Sequence, residues 1–556
     1  MEAVVPAAEP TGPWRPPDRR ADELDAEQLQ HIQALTERLV AKSPTSKEAT
    51  QANRGLLADP RTVAGFRRAW KEIVYPVVAE RSAGSKVWDI DGNEYLDVAM
   101  GFGVNLFGHS PPFIIEAVRE QLSRGIEIGP QTPLAGETAG LIAEMTGHQR
   151  VAFCNTGSEA VLAAMRLART VSGRTKILTF ANDYHGLFDE VLARRVMRGG
   201  ERRSIPIAPG IPEHATQDMV IFDYADPHAV EYVAQHAGEL AAVLIEPVQS
   251  RHPEDHDIEF LRRLRQVTSE MGVALIFDEM ITGFRAHPGG VQGLFGLKGD
   301  LATYGKVVGG GFPIGVVAGD AHYMDALDGG AWQFGDDSIP EADVTWFAGT
   351  FVRHPIALAA ARASLLHMRE AGPQLQAGLT ARTADLARGL NDFLADREVP
   401  VRIEHFSSLF LTRFQRDQRF ASLFYFHLRD QGIHITEGRG AFLSTAHSDE
   451  DLEQLGAAYR AAVSALVESR FLSTGSEPLP AAVAAESREL PVTDGQQEIL
   501  LAAQQGDEVN CAYNLSNTLH IRGDLDVDVL QRSIDRLVAM HETLRATFTS
   551  DGTRQR

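Results

Sequence analysis

The 556-residue chain has few of the residue types that mark several common classes of protein. It contains only two cysteines, Cys154 and Cys511, which stand far apart and match no zinc-ligand spacing. We therefore expect no disulfide framework and no metal site, but reduced thiols in a cytoplasmic protein. No apolar run approaches the ~18–20 residues of a membrane helix, and the N-terminus lacks the basic and apolar regions of a signal peptide.

Basic residues are also fewer than acidic residues. The chain has 53 Lys and Arg against 75 Asp and Glu, which gives a formal net charge of −22. A nucleic-acid-binding surface needs a basic face, so this balance argues against a nucleic-acid partner, while a local basic patch for an acidic partner remains open. With 44% hydrophobic and 23% charged residues, the composition is that of a globular protein, and the length predicts several domains.

The apolar pattern predicts an α/β fold. Residues 29–40 have the spacing of an amphipathic helix, and Asp91-Gly92 between apolar-rich stretches predicts a hairpin. Short continuous apolar runs then alternate with helical stretches, which is typical of a mostly parallel sheet buried on both faces. These runs are Val151–Cys154, Ile177–Phe180, Met219–Phe222, Ala241–Ile245, Val273–Phe277 and Ile314–Ala318. Further short strands are predicted near Leu409–Thr412 and Ala441–Ser444.

The clearest chemical signal follows the run at Val273–Phe277. That predicted strand ends at Asp278, and Lys306 on the next loop precedes three consecutive glycines, 309–311. Ligands of open α/β sheets bind beyond the carboxyl ends of strands. A carboxylate there can hold a protonated heterocyclic nitrogen, and the lysine can form a Schiff base. A turn aspartate and a solvated lysine are the plainer interpretations of each residue alone, so the combination carries the prediction.

A second motif predicts an anion site. Residues 153–160 place a strand, a small-residue turn with Thr156, Gly157 and Ser158, and the start of a helix in succession. The free N–H groups and the dipole of a helix N-terminus favour a phosphate, although a simply capped helix has the same pattern. Downstream, Tyr184 is placed to stack on a planar cofactor, and Thr350 to add a hydrogen bond to the phosphate.

Residues 46–467 resemble the class III aminotransferases, especially their glutamate-1-semialdehyde aminomutase branch. Two motifs carry this resemblance, Asp-Glu-Met-Ile-Thr-Gly-Phe-Arg at 278–285 and Gly-Lys-Val-Val-Gly-Gly-Gly-Phe-Pro-Ile-Gly at 305–315. The resemblance implies a fold-type I enzyme that uses pyridoxal 5′-phosphate. It also implies a large domain around a seven-stranded, mostly parallel sheet, and a smaller α/β domain formed by both chain ends.

The same resemblance implies the role of each site residue. Lys306 would form the Schiff base with the cofactor and then move the proton, while Asp278 would pair with the pyridine nitrogen. Thr350 would reach the phosphate bound by a neighbouring subunit, so a homodimer is implied. The other expected cofactor contacts are Thr156, Gly157 and Ser158 at the phosphate, Tyr184 stacked on the ring, and the adjacent His185 and Met280.

The C-terminal residues 490–556 resemble the opening of a condensation domain of nonribosomal peptide synthetases. Leu490–Thr493, Ile521–Asp526 and Met540–Arg545 carry this similarity. The His-His-x-x-x-Asp-Gly motif of that family does not occur here, so we do not expect this piece to catalyse condensation. The context implies transfer of an amino group from glutamate or glutamine to a β-ketoacyl thioester on an acyl carrier protein, in a hybrid polyketide/nonribosomal peptide pathway.

Two residues are predicted to contact the substrate. Gly438-Arg439-Gly440-Ala441-Phe442 stands where aminomutases carry Phe-Glu-Ala-Gly-Phe, and Arg439 would bind a donor carboxylate bidentately. A solvated loop arginine is the plainer alternative. Asn105 lies in a segment, 101–109, that resembles the assembly-line subgroup. The rival functions are a true aminomutase, a free-standing transaminase of a small ketone, and a non-catalytic scaffold, against which Lys306 and Asp278 weigh.

The predicted domain boundaries follow from these assignments. They are a linker and N-terminal helix at 1–45, the N-terminal part of the small domain at 46–110, the large cofactor-binding domain at 111–354, the C-terminal part of the small domain at 355–467, a linker at 468–489, and the condensation-domain fragment at 490–556.

Overall fold

A computed structural model describes residues 24–60, 66–198, 201–414 and 420–474, together with isolated positions between 490 and 555. The chain divides into two compact units, Met1–Thr474 and Gly475–Arg556. Most of the predicted terminal linkers and of the condensation-domain fragment lies outside the described residues. In the second unit, Leu490–Pro491 pairs antiparallel with Arg554–Gln555.

The first unit consists of helices and strands that alternate along the chain. Its helices are α1 (Ala26–Lys42), α2 (Pro44–Asn53), α3 (Met100–Gly103), α4 (Pro112–Arg124), α5 (Pro133–Thr146), α6 (Gly157–Ser172), α7 (Glu213–Thr216), α8 (Pro227–His236), α9 (Ile258–Met271), α10 (Gly290–Phe295), α11 (Ala321–Met324), α12 (Pro355–Ala371), α13 (Gln374–Asp396), α14 (Ala421–Asp430) and α15 (Asp449–Glu468). Short 3₁₀ helices occupy Arg68–Ile73, Asp189–Val191, Lys306–Gly309 and Asp325–Leu327. Within the described ranges, no helix has the length and apolar character needed to cross a membrane.

The described strands of this unit form four sheets. They are β1 (Ala79–Ala83), β2 (Lys86–Asp89), β3 (Glu94–Asp97), β4 (Arg150–Cys154), β5 (Lys176–Phe180), β6 (Ala193–Arg198), β7 (Glu201–Pro206), β8 (Met219–Phe222), β9 (Leu240–Ile245), β10 (Ala274–Asp278), β11 (Leu301–Gly305), β12 (Gly315–Gly319), β13 (Val401–Phe406), β14 (Leu409–Phe414), β15 (Ile433–His434) and β16 (Ala441–Phe442).

The central sheet has seven strands in the order β4-β12-β11-β10-β9-β5-β8. Only β12 runs antiparallel to its neighbours, β4 and β11, so the mostly parallel sheet is confirmed. Each of the six predicted apolar runs is a strand of this sheet. The apolar pattern does not predict the seventh strand, β11, because its sequence Leu-Ala-Thr-Tyr-Gly contains a polar and a small residue and is not a continuous apolar run.

Both faces of this sheet are buried, which explains the continuous apolar runs. On β10, Ala274 and Ile276 face the cluster that includes α6, while Leu275 and Phe277 face a larger cluster that includes α8 and α9. Side chains that alternate between two apolar layers leave no strand face for water. The helix starts also follow the sequence: Asp226 caps α8 before Pro227, as a side-chain oxygen and a proline at the first position favour.

The smaller sheets join distant parts of the chain. The predicted hairpin is confirmed as β2 and β3, and β15 adds to β3 in parallel, with Ile433 opposite Leu96. A three-stranded sheet, β13-β14-β16, lies nearby in sequence and contains both predicted C-terminal strands. The smaller α/β part is therefore built from segments that come before and after the central sheet in the sequence. Its exact domain boundaries stay predictions.

Candidate active site

Asp278 lies at the carboxyl end of β10 and is almost fully buried. Its Oδ2 accepts a hydrogen bond from His185 Nδ1 at 2.8 Å. Its Oδ1 accepts from Thr303 Oγ1 at 3.0 Å and from the Met280 backbone N–H at 3.1 Å. Thr303 is the residue opposite Asp278 in the parallel β10–β11 register. One donor from the sheet and two from neighbouring loops therefore fix the carboxylate, and Oδ2 retains a lone pair for a further donor.

His185 connects Asp278 to a second buried carboxylate. Its Nε2 lies 3.1 Å from Thr179 Oγ1 and 3.4 Å from Asp183 Oδ2. Burial alone would lower the pKa of the imidazole, but the hydrogen bonds to Asp183 and Asp278 outweigh burial and raise the pKa to about 10. His185 is therefore an imidazolium at neutral pH, and it donates a hydrogen bond to Asp278 Oδ2.

Lys306 follows β11 directly and adopts a left-handed backbone conformation with φ of 42°. Such a conformation costs a non-glycine residue of order 1–3 kcal/mol and is common where function fixes a side chain. Burial lowers the pKa of its amine, although the Asp278 and Glu246 charges oppose that effect. Within the described part of the chain, the amine forms no hydrogen bond or ion pair, so it is available as a nucleophile.

The predicted phosphate turn begins α6. Thr156 caps the helix by accepting the Glu159 N–H at 3.3 Å, while the N–H groups of Gly157 and Ser158 have no acceptor among the described residues. A Cβ on Gly157 would lie 2.7 Å from Met280 Sδ, and one on Gly305 would lie 2.5 Å from the same sulfur. The turn and the strand that ends before Lys306 thus approach each other around the Met280 thioether.

Tyr184 lies at the opening of this site, with 42% of its surface exposed. Its backbone N–H donates to Glu246 Oε2 at 3.3 Å, and the Arg251 guanidinium lies 5.7 Å from its ring centroid. Partial burial lowers the pKa of the Arg439 guanidinium. Burial, followed by the charges of Asp183 and Asp278, raises the pKa of Glu246 to about 8.

Two predicted residues lie away from this cluster. The Asn105 side chain contacts His109 Nδ1 at 3.4 Å and lies near Gly311, where a Cβ would be 3.9 Å from its Oδ1. Asn105 therefore borders the glycine run that follows Lys306. Thr350 is exposed, which leaves it accessible to a second subunit. Its role at a neighbouring phosphate stays a prediction.

The sequence alone does not single out Asp183, Thr303, Glu246 or Arg251. Glu246 follows the end of β9 just as Asp278 ends β10, so the same strand-end signal is available for it. Asp183 stands next to Tyr184 and His185 in a motif that the sequence already marks. Arg251 gives no local signal, because a single loop arginine is usually a solvated surface residue.

These groups fit pyridoxal phosphate. The cofactor needs one partner each for its aldehyde, its ring nitrogen and its phosphate. The site offers, in that order, an unpaired buried amine, a carboxylate with a free lone pair, and two free N–H groups at a helix end. Lys306, Asp278 and the Gly157–Ser158 turn would hold these three groups in that order. The charge of His185 further supports Asp278 as the partner of a protonated ring nitrogen.

Comparisons with known proteins agree with this chemistry. The family model "Aminotransferase class-III" matches residues 68–446. The glutamate-1-semialdehyde 2,1-aminomutase of Syntrophus aciditrophicus is 35% identical over 433 residues, which cover 74% of this chain and 95% of that protein. An omega-transaminase from Sphaerobacter thermophilus superimposes with a TM-score of 0.68 at 29% identity, covering 78% of this chain and 99% of that one.

A third relative is the β-phenylalanine aminotransferase from Variovorax paradoxus. Its structure has a TM-score of 0.68 at 26% identity and covers 81% of this chain and all of its own, 100%. Family model and relatives span the central sheet and the smaller sheets together. The chain therefore belongs to the class III aminotransferases and is a fold-type I enzyme that depends on pyridoxal phosphate.

Proposed function

We propose that this enzyme transfers an amino group from an amino-acid donor to a β-ketoacyl thioester on an acyl carrier protein, which gives a β-aminoacyl thioester. The observation that carries the proposal is the presence of Arg439 in the exposed turn between β15 and β16. The aminomutase resemblance puts a carboxylate at this position. A guanidinium there disfavours the diamino intermediate of an isomerase and favours a carboxylate-bearing donor.

The residues of the site divide the work of transamination. Bound pyridoxal phosphate would supply the electron sink for a carbanion. Lys306, whose amine has a lowered pKa, accepts and returns the substrate proton as general base and acid. Asp278, which accepts a hydrogen bond from His185, would bind the protonated ring nitrogen. The N–H groups of Gly157 and Ser158 would hold the phosphate of the cofactor.

Two further features support the carrier-bound acceptor. The tail resembles the start of a condensation domain, whose reaction would acylate a newly formed amine. The similarity to a β-phenylalanine aminotransferase supports an amino group placed β to the carboxyl function. In this proposal the enzyme is a homodimer, with Thr350 of each subunit at its partner's phosphate, and the donor is glutamate or glutamine.

The proposal is tested by mass spectrometry of a carrier protein that bears a β-ketoacyl phosphopantetheine thioester. We expect the pyridoxal-phosphate-loaded enzyme to transfer ¹⁵N from an amino-acid donor to the acyl chain. Lys306→Ala should abolish transfer, because no other described amine lies at the cofactor. Lys298→Ala, which removes an exposed lysine paired with Asp320, should leave transfer unchanged. Absence of labelled product with every donor and acyl length would refute the carrier-bound function.

A second candidate function is glutamate-1-semialdehyde isomerisation, which similarity to glutamate-1-semialdehyde 2,1-aminomutases favours. The same enzyme preparation, incubated with glutamate-1-semialdehyde and no donor, separates the two functions. Rapid isomerisation together with no labelling of the carrier-bound chain would establish the aminomutase instead. We expect Arg439→Glu, which restores the carboxylate of the aminomutase pattern, to be required before any isomerisation is measurable.

A further inference from the structure

The β6–β7 hairpin is a basic segment of an acidic chain. From Ala193 to Pro206 the sequence has five arginines and one acidic residue, whereas the whole chain has a net charge of −22. The hairpin packs against β8, the strand at one edge of the central sheet. Positive charge is therefore concentrated at this edge, on a protein whose overall charge repels acidic partners.

The inner face of the hairpin holds it to the central sheet. Successive residues of a strand point to opposite faces, and the strand register places Arg195 and Arg202 on the same face. Arg195 Nη2 lies 2.8 Å from Asp223 Oδ2, and the Arg202 guanidinium lies 3.4 Å from the centroid of the Phe222 ring. Both contacts are with the end of β8 or the residue after it, so the inner arginines are already engaged within the protein.

The outer face carries two further arginines and two apolar residues. The register pairs Arg194 with Ile205 and Val196 with Arg203, so each arginine lies opposite a β-branched side chain. Arg203 is exposed, and Arg194 forms no hydrogen bond or ion pair within the described ranges. The core clusters of the described residues include neither Val196 nor Ile205. We call these four residues the outer patch.

The hairpin adjoins the edge of the sheet that carries the active site. Asp223, the partner of Arg195, follows the carboxyl end of β8, just as Asp278 ends β10. Strands β8, β5, β9 and β10 are parallel neighbours in that order, so both carboxylates lie at the same edge. Three strand spacings separate β8 from β10, which is roughly 14 Å. An extended phosphopantetheine arm can cross that distance.

We propose that the outer patch binds the acyl carrier protein through an acidic surface of that protein. This inference rests on the proposed function, which requires a carrier protein to bring its thioester to the site. The two arginines attract and orient an acidic partner, and the two β-branched side chains supply apolar area that becomes buried on contact. The bound carrier then extends its arm along the carboxyl edge of the sheet toward Lys306.

Amination of one β-ketoacyl group on two carriers separates docking from chemistry. The group is presented on an acyl carrier protein of net negative charge and, separately, on free pantetheine, and the KM of each thioester is measured. We expect Arg194→Gln/Arg203→Gln to raise the KM of the protein-bound thioester about tenfold or more, while the KM of the pantetheine thioester changes less than about twofold. The difference should shrink between about 0.05 M and about 0.5 M salt, because salt screens exposed charges.

Two control variants separate the outer patch from overall charge. Arg194→Lys/Arg203→Lys keeps the charge and should retain most of the affinity for the carrier protein. Arg262→Gln/Arg388→Gln removes two exposed arginines of α9 and α13 and should leave both KM values unchanged. Equal losses in the two glutamine pairs would show that overall charge attracts the carrier and would overturn the proposal. A rise in the KM of both thioesters would overturn it as well.

Failure of this inference is distinguishable from failure of the proposed function. Titration calorimetry on the holoenzyme measures binding of the carrier protein with its phosphopantetheine arm but no acyl group, so it needs no amination. If the arginine pair is required for that binding but no thioester is aminated, the acceptor of the proposed function is wrong and the docking surface stands. If the carrier-bound thioester is aminated with the same KM in wild type and Arg194→Gln/Arg203→Gln, the docking surface alone is wrong.

A second copy of this acidic chain is the other occupant that the outer patch fits. Sedimentation of wild type and of Arg194→Gln/Arg203→Gln without any carrier protein tests it. We expect the two proteins to associate equally. An association that only the variant loses, together with equal binding of the carrier protein by both, would assign the outer patch to contacts between copies and overturn the proposal.

Discussion

At the residue scale, the site depends on positions that leave no room for a side chain. A Cβ on Gly315 of β12 would collide with the Thr156 carbonyl oxygen and would lie 3.2 Å from Cys154 Cβ. Both neighbours belong to the segment that runs from β4 into the phosphate turn. The missing side chain of Gly315 therefore lets the antiparallel strand pack directly beneath the turn that receives the phosphate.

Gly315→Ala should weaken cofactor binding, although Gly315 is not one of the residues expected to contact the cofactor. The added methyl group meets backbone, which cannot rotate away, so the turn must move, and overpacking of this kind costs about 1–3 kcal/mol. We expect the dissociation constant of pyridoxal phosphate, measured by absorbance titration of the apoenzyme, to rise at least about fivefold.

Gly140→Ala is the matched control for this substitution. Gly140 lies in α5, and a Cβ added there would meet no other atom within 4 Å. Alanine is also the better helix former by up to about 1 kcal/mol. This variant should bind the cofactor as wild type does and unfold at the same or a higher temperature. Equal cofactor affinity in both variants would mean that the turn tolerates the displacement.

The residues of the site differ in how far the sequence can predict them. Asp278 and Lys306 are identified by their order, a strand-end carboxylate followed by a lysine and a glycine run, and this order is local. Arg251 follows β9, and the ring of Tyr184, whose centroid lies 5.7 Å from its guanidinium, comes from an earlier segment of the chain. Only the folded chain brings such groups together, so spacing in the sequence carries no information about them.

At the element scale, α1 is held against α14 by a pair of histidines. His31 Nε2 and His427 Nε2 are 2.9 Å apart, and the helices are also joined by Arg38 Nε and Asp430 Oδ2 at 2.8 Å. Burial, with a smaller effect of His31, lowers the pKa of His427 to about 4. The pKa of His31 is also lowered, chiefly by burial. Both rings are therefore neutral in the folded protein at neutral pH.

Acid should loosen this contact. The pKa of His427 in the folded protein is below its unfolded value of about 6.5, so the unfolded chain binds the proton more readily. The neutral His427 ring contributes fully to stability above pH 6.5, and this contribution decreases as the pH falls toward 4. At pH 5 the free energy of unfolding is lower by about 2 kcal/mol because of this effect. We expect His427→Gln to lose less unfolding free energy than wild type between pH 7.5 and pH 5, measured by denaturant titration.

An exposed histidine provides the control for the acid effect. His322→Gln in α11 should follow the wild-type dependence on pH, because this residue lies outside the contact between α1 and α14. A wild-type protein that is equally stable at both pH values would contradict the buried, neutral state of His427.

Elements are predictable where their sequence has a single pattern. Six strands of the central sheet are continuous apolar runs, and the sequence identifies each of them. In β11, Thr303 and Gly305 interrupt the apolar pattern, and both are there for the site, one to bind Asp278 and one to leave room for Met280. The β6–β7 hairpin has no apolar pattern because arginines dominate its strands. Function and surface chemistry thus mask the usual strand signals in these three strands.

At the scale of the whole molecule, one exposed segment has the character of an interface. Between residues 332 and 351, Phe334 is 93% exposed and Trp346 is 80% exposed, with Trp332 and Phe351 also accessible. Large aromatic side chains grouped on a surface mark protein contacts rather than solvent. Because Thr350 lies in the same segment, this surface is where the implied homodimer would form.

Trp346→Ser should therefore weaken the dimer. A buried interface tryptophan is commonly worth about 2 kcal/mol or more, so the dimer dissociation constant, measured by sedimentation equilibrium, should rise roughly thirtyfold. Cofactor retention should fall in parallel if Thr350 reaches the partner's phosphate. Met271→Ser, at the end of α9, removes another exposed apolar side chain and should leave the association unchanged. A wild-type protein that sediments as a monomer at all concentrations would contradict the interface.

The parallel pairing of β15 with β3 has a consequence for folding during synthesis on the ribosome. Ile433 reaches its position opposite Leu96 only after more than 300 further residues have been made. At ~5–20 residues per second, the ribosome needs on the order of tens of seconds for that stretch. Throughout this interval the edge of β3 is not paired with β15, and an unpaired strand edge can promote aggregation. The nascent chain is thus most in need of a chaperone before the last quarter of the enzyme emerges.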